Sequence, residues 1–168
     1  RLFLIYVAIL GMSIFAVIMN IDALRTRASQ YPNASARKLA AFALGGVGIL
    51  FALLWLSEII PALLAGTTPN SLKEAGLWVN PIHVIDLSTV LPAFILTGYL
   101  ALKGKPSGLV FLAPWLAFSV LMGLSIVAAM ILMAPSGGFA SVLPPMIMVS
   151  LVVVVSFFAL WRYVRAIV

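Results

Sequence analysis

Between Leu39 and Ala65 the chain carries one ionisable side chain, Glu58, in a run otherwise built from aliphatic, aromatic and small residues. A helix needs about 20 predominantly apolar residues to cross the hydrocarbon core of a bilayer, and this run is long enough. The pattern recurs at Leu2 to Ile21, Ile82 to Leu102, Leu109 to Ala134 and Pro144 to Trp161. Backbone N–H and C=O groups inside a bilayer must be satisfied internally, which leaves helices or closed barrels. A barrel would show segments of about ten residues alternating apolar and polar, whereas these runs are apolar on every side. The sequence therefore predicts an all-α, polytopic transmembrane bundle forming a single domain over residues 1–168, with at least five spans near 2–21, 39–65, 82–102, 109–134 and 144–161. Composition agrees: 64% of residues are hydrophobic and 8% charged, and the mean hydropathy is +1.23. These values lie outside the soluble globular range.

The first segment resembles a signal peptide in having Arg1 before it and Ala34-Ser35-Ala36 after it. Its apolar core is longer than the roughly 7 to 15 residues of such a peptide, so it is expected to be a retained helix. A further helix could precede it.

Basic residues set the orientation. Arg25, Arg27, Arg37, Lys38, Lys103, Lys105, Arg162 and Arg165 fall on one side of the predicted bundle, and Arg1 and Lys73 on the other. The positive-inside rule then makes loops 22–38 and 103–108 and the C-terminus cytoplasmic. The net charge of +6 is largely a consequence of this topology. No basic surface with groove-reading or stacking elements stands apart from the loop ends, so a nucleic-acid partner is not expected. The glycosylation triplet Asn33-Ala34-Ser35 falls in a loop assigned to the cytoplasm and is discounted.

The chain has no cysteine and one histidine. Thiol chemistry is excluded, and the chain alone supplies neither bis-histidine haem ligation nor a three-histidine zinc site. Nucleophile-elbow, Walker and dinucleotide-binding patterns are absent. Gly45-Gly46-Val47-Gly48 lies inside an apolar helix, where Ala41 and Gly45, four apart, are expected to let two backbones approach closely. Met122, Met130, Met133, Met146 and Met148 are irregularly spaced in apolar runs and are expected to fill gaps. Trp78 on one side, and Trp161 and Tyr163 on the other, are expected to sit at the headgroup level. Pro61, Pro92 and Pro114 each remove a backbone donor from a span.

The informative residues are the ionisable ones inside the spans. A carboxylate near mid-membrane costs roughly 2.5 to 3.5 kcal/mol on insertion scales, so Glu58 and Asp86 require a reason to be there. Asn80-Pro81 reads as a helix cap followed by proline at the first helical position. At 1.5 Å per residue, His83 then lies roughly 4 to 5 Å into the helix, Asp86 about 9 Å, and Glu58 about 10 Å below the same surface. His83 and Asp86, three apart, share a face. The outer connection, Gly66 to Pro81, holds a turn at Thr67-Thr68-Pro69-Asn70 and a capping-box spacing at Ser71 and Glu74, which predicts a short helix across the mouth of the bundle. Trp55, one turn from Glu58, either walls this site or packs in the core.

Three readings of Glu58, His83 and Asp86 are physically open. They form a buried polar lock between the second and third spans, a proton or ion relay opening to the outer face, or a ligand set for a divalent metal. A continuous polar path is not expected, since only Ser57 and Thr97 extend the site.

The stretch Trp78-Val79-Asn80-Pro81-Ile82-His83-Val84-Ile85-Asp86-Leu87, with Leu91-Pro92-Ala93 and Trp55-Leu56-Ser57-Glu58, resembles a pattern in uncharacterised bacterial integral membrane proteins. The resemblance implies the bacterial inner membrane as location and no particular activity. The expected function is that of a small transport or sensing protein, or of an accessory subunit packed among other membrane subunits, with an outward-facing polar site. The alternative is a membrane-embedded metal-dependent enzyme using Glu58, His83 and Asp86 as ligands.

Overall fold

The computed structural model describes residues 34–69, 72–73, 76, 78–132 and 142–167, together with Ala8, Met12, Phe15 and Ala16, which are helical. Four helices are long and apolar enough to cross a membrane: α1 (Ala34–Leu64), α2 (Pro81–Leu102), α3 (Pro106–Leu132) and α4 (Leu143–Arg165). The expected span at 2–21 lies, apart from those four helical positions, outside the described residues. So do Asp22, Arg25, Arg27, Ser71, Glu74 and Met133.

The helices run past the predicted span limits at their basic ends. Hydropathy marks the hydrocarbon layer, whereas a helix continues for a turn or so into the interface. Arg37 and Lys38 occupy the first turns of α1, and Arg162 and Arg165 the last turn of α4. Prolines sit where the missing N–H costs nothing, at the start of α2, α3 and α4. The ends of α1 and α2 share one chemistry. Thr67 N–H donates to Ala62 O at 2.9 Å and Gly66 N–H to Leu63 O at 3.2 Å, while Lys105 N–H donates to Leu100 O at 2.9 Å and Gly104 N–H to Ala101 O at 3.0 Å. Both are Schellman closures, and both place glycine at positive φ, 62° at Gly66 and 69° at Gly104.

Each helix packs on its neighbours in the chain, and α4 closes back on α1. Leu44, Leu112 and Leu116 form the fully buried centre, with Val47, Phe94 and Val152 around them. The α1–α2 contact rests on small residues. A Cβ built on Gly98 would lie 2.8 Å from Ala41 O and 3.3 Å from Gly45 Cα, so the two backbones touch where the sequence predicted a close approach.

Two polar contacts tie α3 to α4. Ser119 Oγ and Ser156 Oγ, both buried, share a hydrogen bond of 3.1 Å. Tyr163 donates its hydroxyl to Leu109 O at 2.9 Å and is 0% exposed. Tyr163 is therefore a core residue and not an interfacial anchor, because it falls on the inward face of α4 where its hydroxyl finds a carbonyl. Trp161, two residues earlier, is exposed. Met122 is 45% exposed and fills no internal gap, since it lies on the outer face of α3.

Candidate site at the Asn80 end of the bundle

The site begins with a helix cap. Asn80 is extended, φ −84° and ψ 109°, and its Oδ1 accepts from Ile82 N–H at 3.0 Å and from His83 N–H at 3.4 Å. With Pro81 at the first helical position, two of the first-turn donors are satisfied and the entry into α2 is fixed. His83 is consequently held one turn into the helix, pointing inward, and is 8% exposed.

Asp86 opens a single π-helical turn, Asp86–Val90, flanked by the α-helical stretches Pro81–Ile85 and Leu91–Leu102; Leu91 N–H donates to Asp86 O. The wide turn ends two residues before Pro92, which has no N–H to give and whose ring crowds the turn behind it. Pro61 and Pro114, by contrast, sit inside uninterrupted α-helix. Widening the turn inserts a residue into the helical register. Ser88 and Thr89 inside it bond each other through their hydroxyls at 3.2 Å.

Trp55 of α1 joins His83 and Asp86 of α2. Its indole Nε1 donates to Asp86 Oδ2 at 3.1 Å, and its ring lies 4.3 Å, centroid to centroid, from the His83 imidazole at an interplanar angle of 38°. Phe51, one turn below, meets Trp55 at 6.2 Å. Trp55 is thus the side chain on which the site is built. The sequence placed it near Glu58 but carried no sign of its partner, because pairing across helices depends on their rotation about their axes.

Glu58 sits one turn further along α1 and is half-buried. The residue of α1 that donates to Asp86 is Trp55, a turn nearer the middle of the span. Among the described residues no group of three His, Cys, Asp or Glu side chains is arranged to hold a metal ion.

His83 also faces a cavity of about 570 Å³ at this end of the bundle, bounded by the last turns of α1, the connecting segment and the first turns of α2. Ile59, Leu63, Leu72, Trp78 and Leu87 give it an apolar wall, and of the three intramembrane ionisable residues it is His83 that lines it. Trp78 is 98% exposed at its rim. The expected short helix over the mouth is represented by a helical turn at Leu72 and Lys73, whose N–H groups donate to Pro69 O at 3.1 and 3.2 Å.

No family model matches the chain, and no curated protein or solved structure does either. The resemblance through Asn80-Pro81, His83 and Asp86 accordingly rests on those residues alone, and the function has to be argued from the geometry.

The arrangement has a simple chemistry. An imidazole backed by an aromatic face is presented to an apolar cavity of a size that accepts a small molecule. Asp86 is held beside it by an indole donor.

Proposed function

We propose that this chain is a non-enzymatic membrane protein that binds a small amphiphile, as a sensing or transport component, in the cavity beside His83. The observation that carries the reading is the position of His83, whose imidazole joins the small polar side chains Thr67, Asn80 and Ser88 on a wall that is otherwise aliphatic and aromatic. A ligand with an apolar body and a single hydroxyl, carbonyl or carboxyl group suits that wall. Trp55 supports the reading from behind: its packing against His83 and its bond to Asp86 hold the imidazole in one orientation.

The distribution of basic residues supports an outward orientation. Arg37, Lys38, Lys103, Lys105, Arg162 and Arg165 lie at the opposite end of the four helices, and Lys73 lies at this one. By the positive-inside rule the cavity opens on the outer face of a bacterial inner membrane, in a bundle of at least five spans. Access from that side suits reception or capture of an amphiphile that partitions from the outer aqueous phase.

The test is equilibrium binding of 1-decanol to the detergent-purified protein, with n-decane as the control lacking a hydroxyl. Saturable thermal stabilisation by decanol is expected, about three- to tenfold weaker for decane and for His83→Ala, the range of one hydrogen bond. Absence of saturable stabilisation across decanol, decanal and decanoate would sink the proposal.

A further inference from the structure

At the basic end of the bundle a second cavity, of about 390 Å³, lies between the first turn of α1 and the last turns of α4; Ser35, Ala36, Trp161, Arg162, Arg165 and Ala166 line it. Two guanidinium groups therefore share one concave surface. The described carboxylates, Glu58 and Asp86, both lie toward the other end of the helices, so among the described residues no acid offsets this charge. A guanidinium presents its N–H donors in a planar fork that matches the oxygens of a phosphate. Arg165 is also positioned in advance: its guanidinium carbon lies 4.6 Å from the centroid of the Trp161 ring, a cation–π contact within the cavity wall.

The surface below the arginines says what kind of phosphate. Phe158, Trp161, Arg162 and Arg165 are spaced i, i+3, i+4 and i+7, a single stripe of α4. The stripe passes from cationic at the helix end to aromatic one to two turns deeper, where Phe158 is 49% exposed and its ring lies 6.0 Å from that of Trp161. On α1, Ser35, Leu39 and Phe42 repeat the order at i, i+4 and i+7, and Phe42 is 66% exposed. Both helices thus go from polar to exposed apolar with depth, in the order in which a lipid carries its headgroup and its chains. A free phosphate shares the headgroup chemistry and would draw nothing from the two stripes.

We infer that this cavity is a binding site for an anionic phospholipid, with the lipid phosphate on Arg162 and Arg165 and the acyl chains along the stripes that begin at Phe158 and Phe42. The site is independent of the cavity at the Asn80 end. It ties α4 to α1 through a shared lipid, at the level where basic pockets between helices meet acidic headgroups.

Native mass spectrometry of the purified full chain, titrated separately with phosphatidylglycerol and phosphatidylcholine, reads the preference directly. Wild type is expected to retain phosphatidylglycerol about tenfold better. The Arg162→Gln/Arg165→Gln double variant should bring the two lipids to parity, while Arg162→Lys/Arg165→Lys should keep most of the preference. Both arginines are exposed, and an unchanged unfolding temperature checks that the variants fold. Excess inorganic phosphate should leave the bound lipid in place. Equal retention of the two lipids by wild type, or a preference that survives the glutamine pair, overturns the assignment; displacement by inorganic phosphate reassigns the cavity to free anions and overturns it as well.

Discussion

Trp55 of α1 donates its indole N–H to Asp86 of α2 at 3.1 Å while its ring packs, tilted, against His83 one turn away, so a single aromatic side chain engages both His83 and Asp86 of the neighbouring helix. A carboxylate inside a membrane span is costly unless donors reach it, and a large apolar residue that also carries a donor serves both the packing and the charge. This geometry separates two contributions that are usually lost together. Trp55→Phe keeps an aromatic face against His83 and removes the donor to Asp86. Because Asp86 is half-buried, the expected cost is about 0.5 to 1.5 kcal/mol, the net range of one hydrogen bond. Thermal unfolding in detergent, in a cycle with Asp86→Leu, should show the two changes to be strongly non-additive; simple additivity would mean that the bond contributes nothing.

Gly98 and Gly46 make a matched pair for the α1–α2 interface. A Cβ at Gly98 would lie 2.8 Å from the Ala41 carbonyl oxygen, which is backbone and cannot rotate away, whereas a Cβ at Gly46 meets nothing within 4 Å. Gly98→Ala is expected to lower stability by about 1 to 3 kcal/mol through forced separation of the helices. Gly46→Ala should be neutral or stabilising by up to about 1 kcal/mol from helix propensity. Unfolding temperatures of the two variants, measured side by side, check the sign of each.

Removing the cap at Asn80 tests whether the first turn of α2 positions His83. Asn80→Ala deletes the acceptor for the Ile82 and His83 N–H groups and should cost about 0.5 to 2 kcal/mol, with Asn80→Asp close to neutral. Hydrogen exchange should rise at Ile82 and His83 and stay unchanged in Leu91–Leu102. Uniform loss of protection along the whole helix would show that the cap supports the span and not the site.

Ser119 and Ser156 form a buried polar link between α3 and α4. Ser156→Ala strands the Ser119 hydroxyl and should cost about 0.5 to 1.5 kcal/mol; the double change to alanine should recover most of that loss, because both partners leave together. A double-mutant cycle on unfolding in detergent gives the coupling, and a coupling near zero would mark the bond as incidental.

The class of the protein was legible because it depends on composition along the chain. Glu58 stands almost alone in a long apolar run, and the bilayer has few ways to accept such a run. The Asn80-Pro81 cap was legible for a related reason: its chemistry is local, reaching two and three residues ahead. Gly98 meeting Ala41 and Gly45 could be half anticipated, since small residues four apart announce a close approach without naming the partner. The π turn at Asp86–Val90 went unread. Pro92 signalled a disturbed helix, but an omitted hydrogen bond can be accommodated by a bend, by water or by a widened turn, and the choice is made by packing.

Tyr163 and Trp55 show where reading along the chain ends. Both are amphipathic aromatics in apolar spans, and interfacial or core positions suit them equally by composition. One found the Leu109 carbonyl and the other found Asp86, contacts that bridge 54 and 31 positions of sequence. What the amino-acid order determined unaided was the four apolar helices of the described residues, the cap at Asn80 and the asymmetry of charge between the helix ends, because each follows from transfer free energies and hydrogen bonds satisfied within a few residues. Which polar side chains meet, which ionisable group faces a cavity, and which helix ends enclose the arginines were decided by the tertiary structure, because these depend on how far each helix is rotated about its own axis, and that rotation is set by close packing between helices.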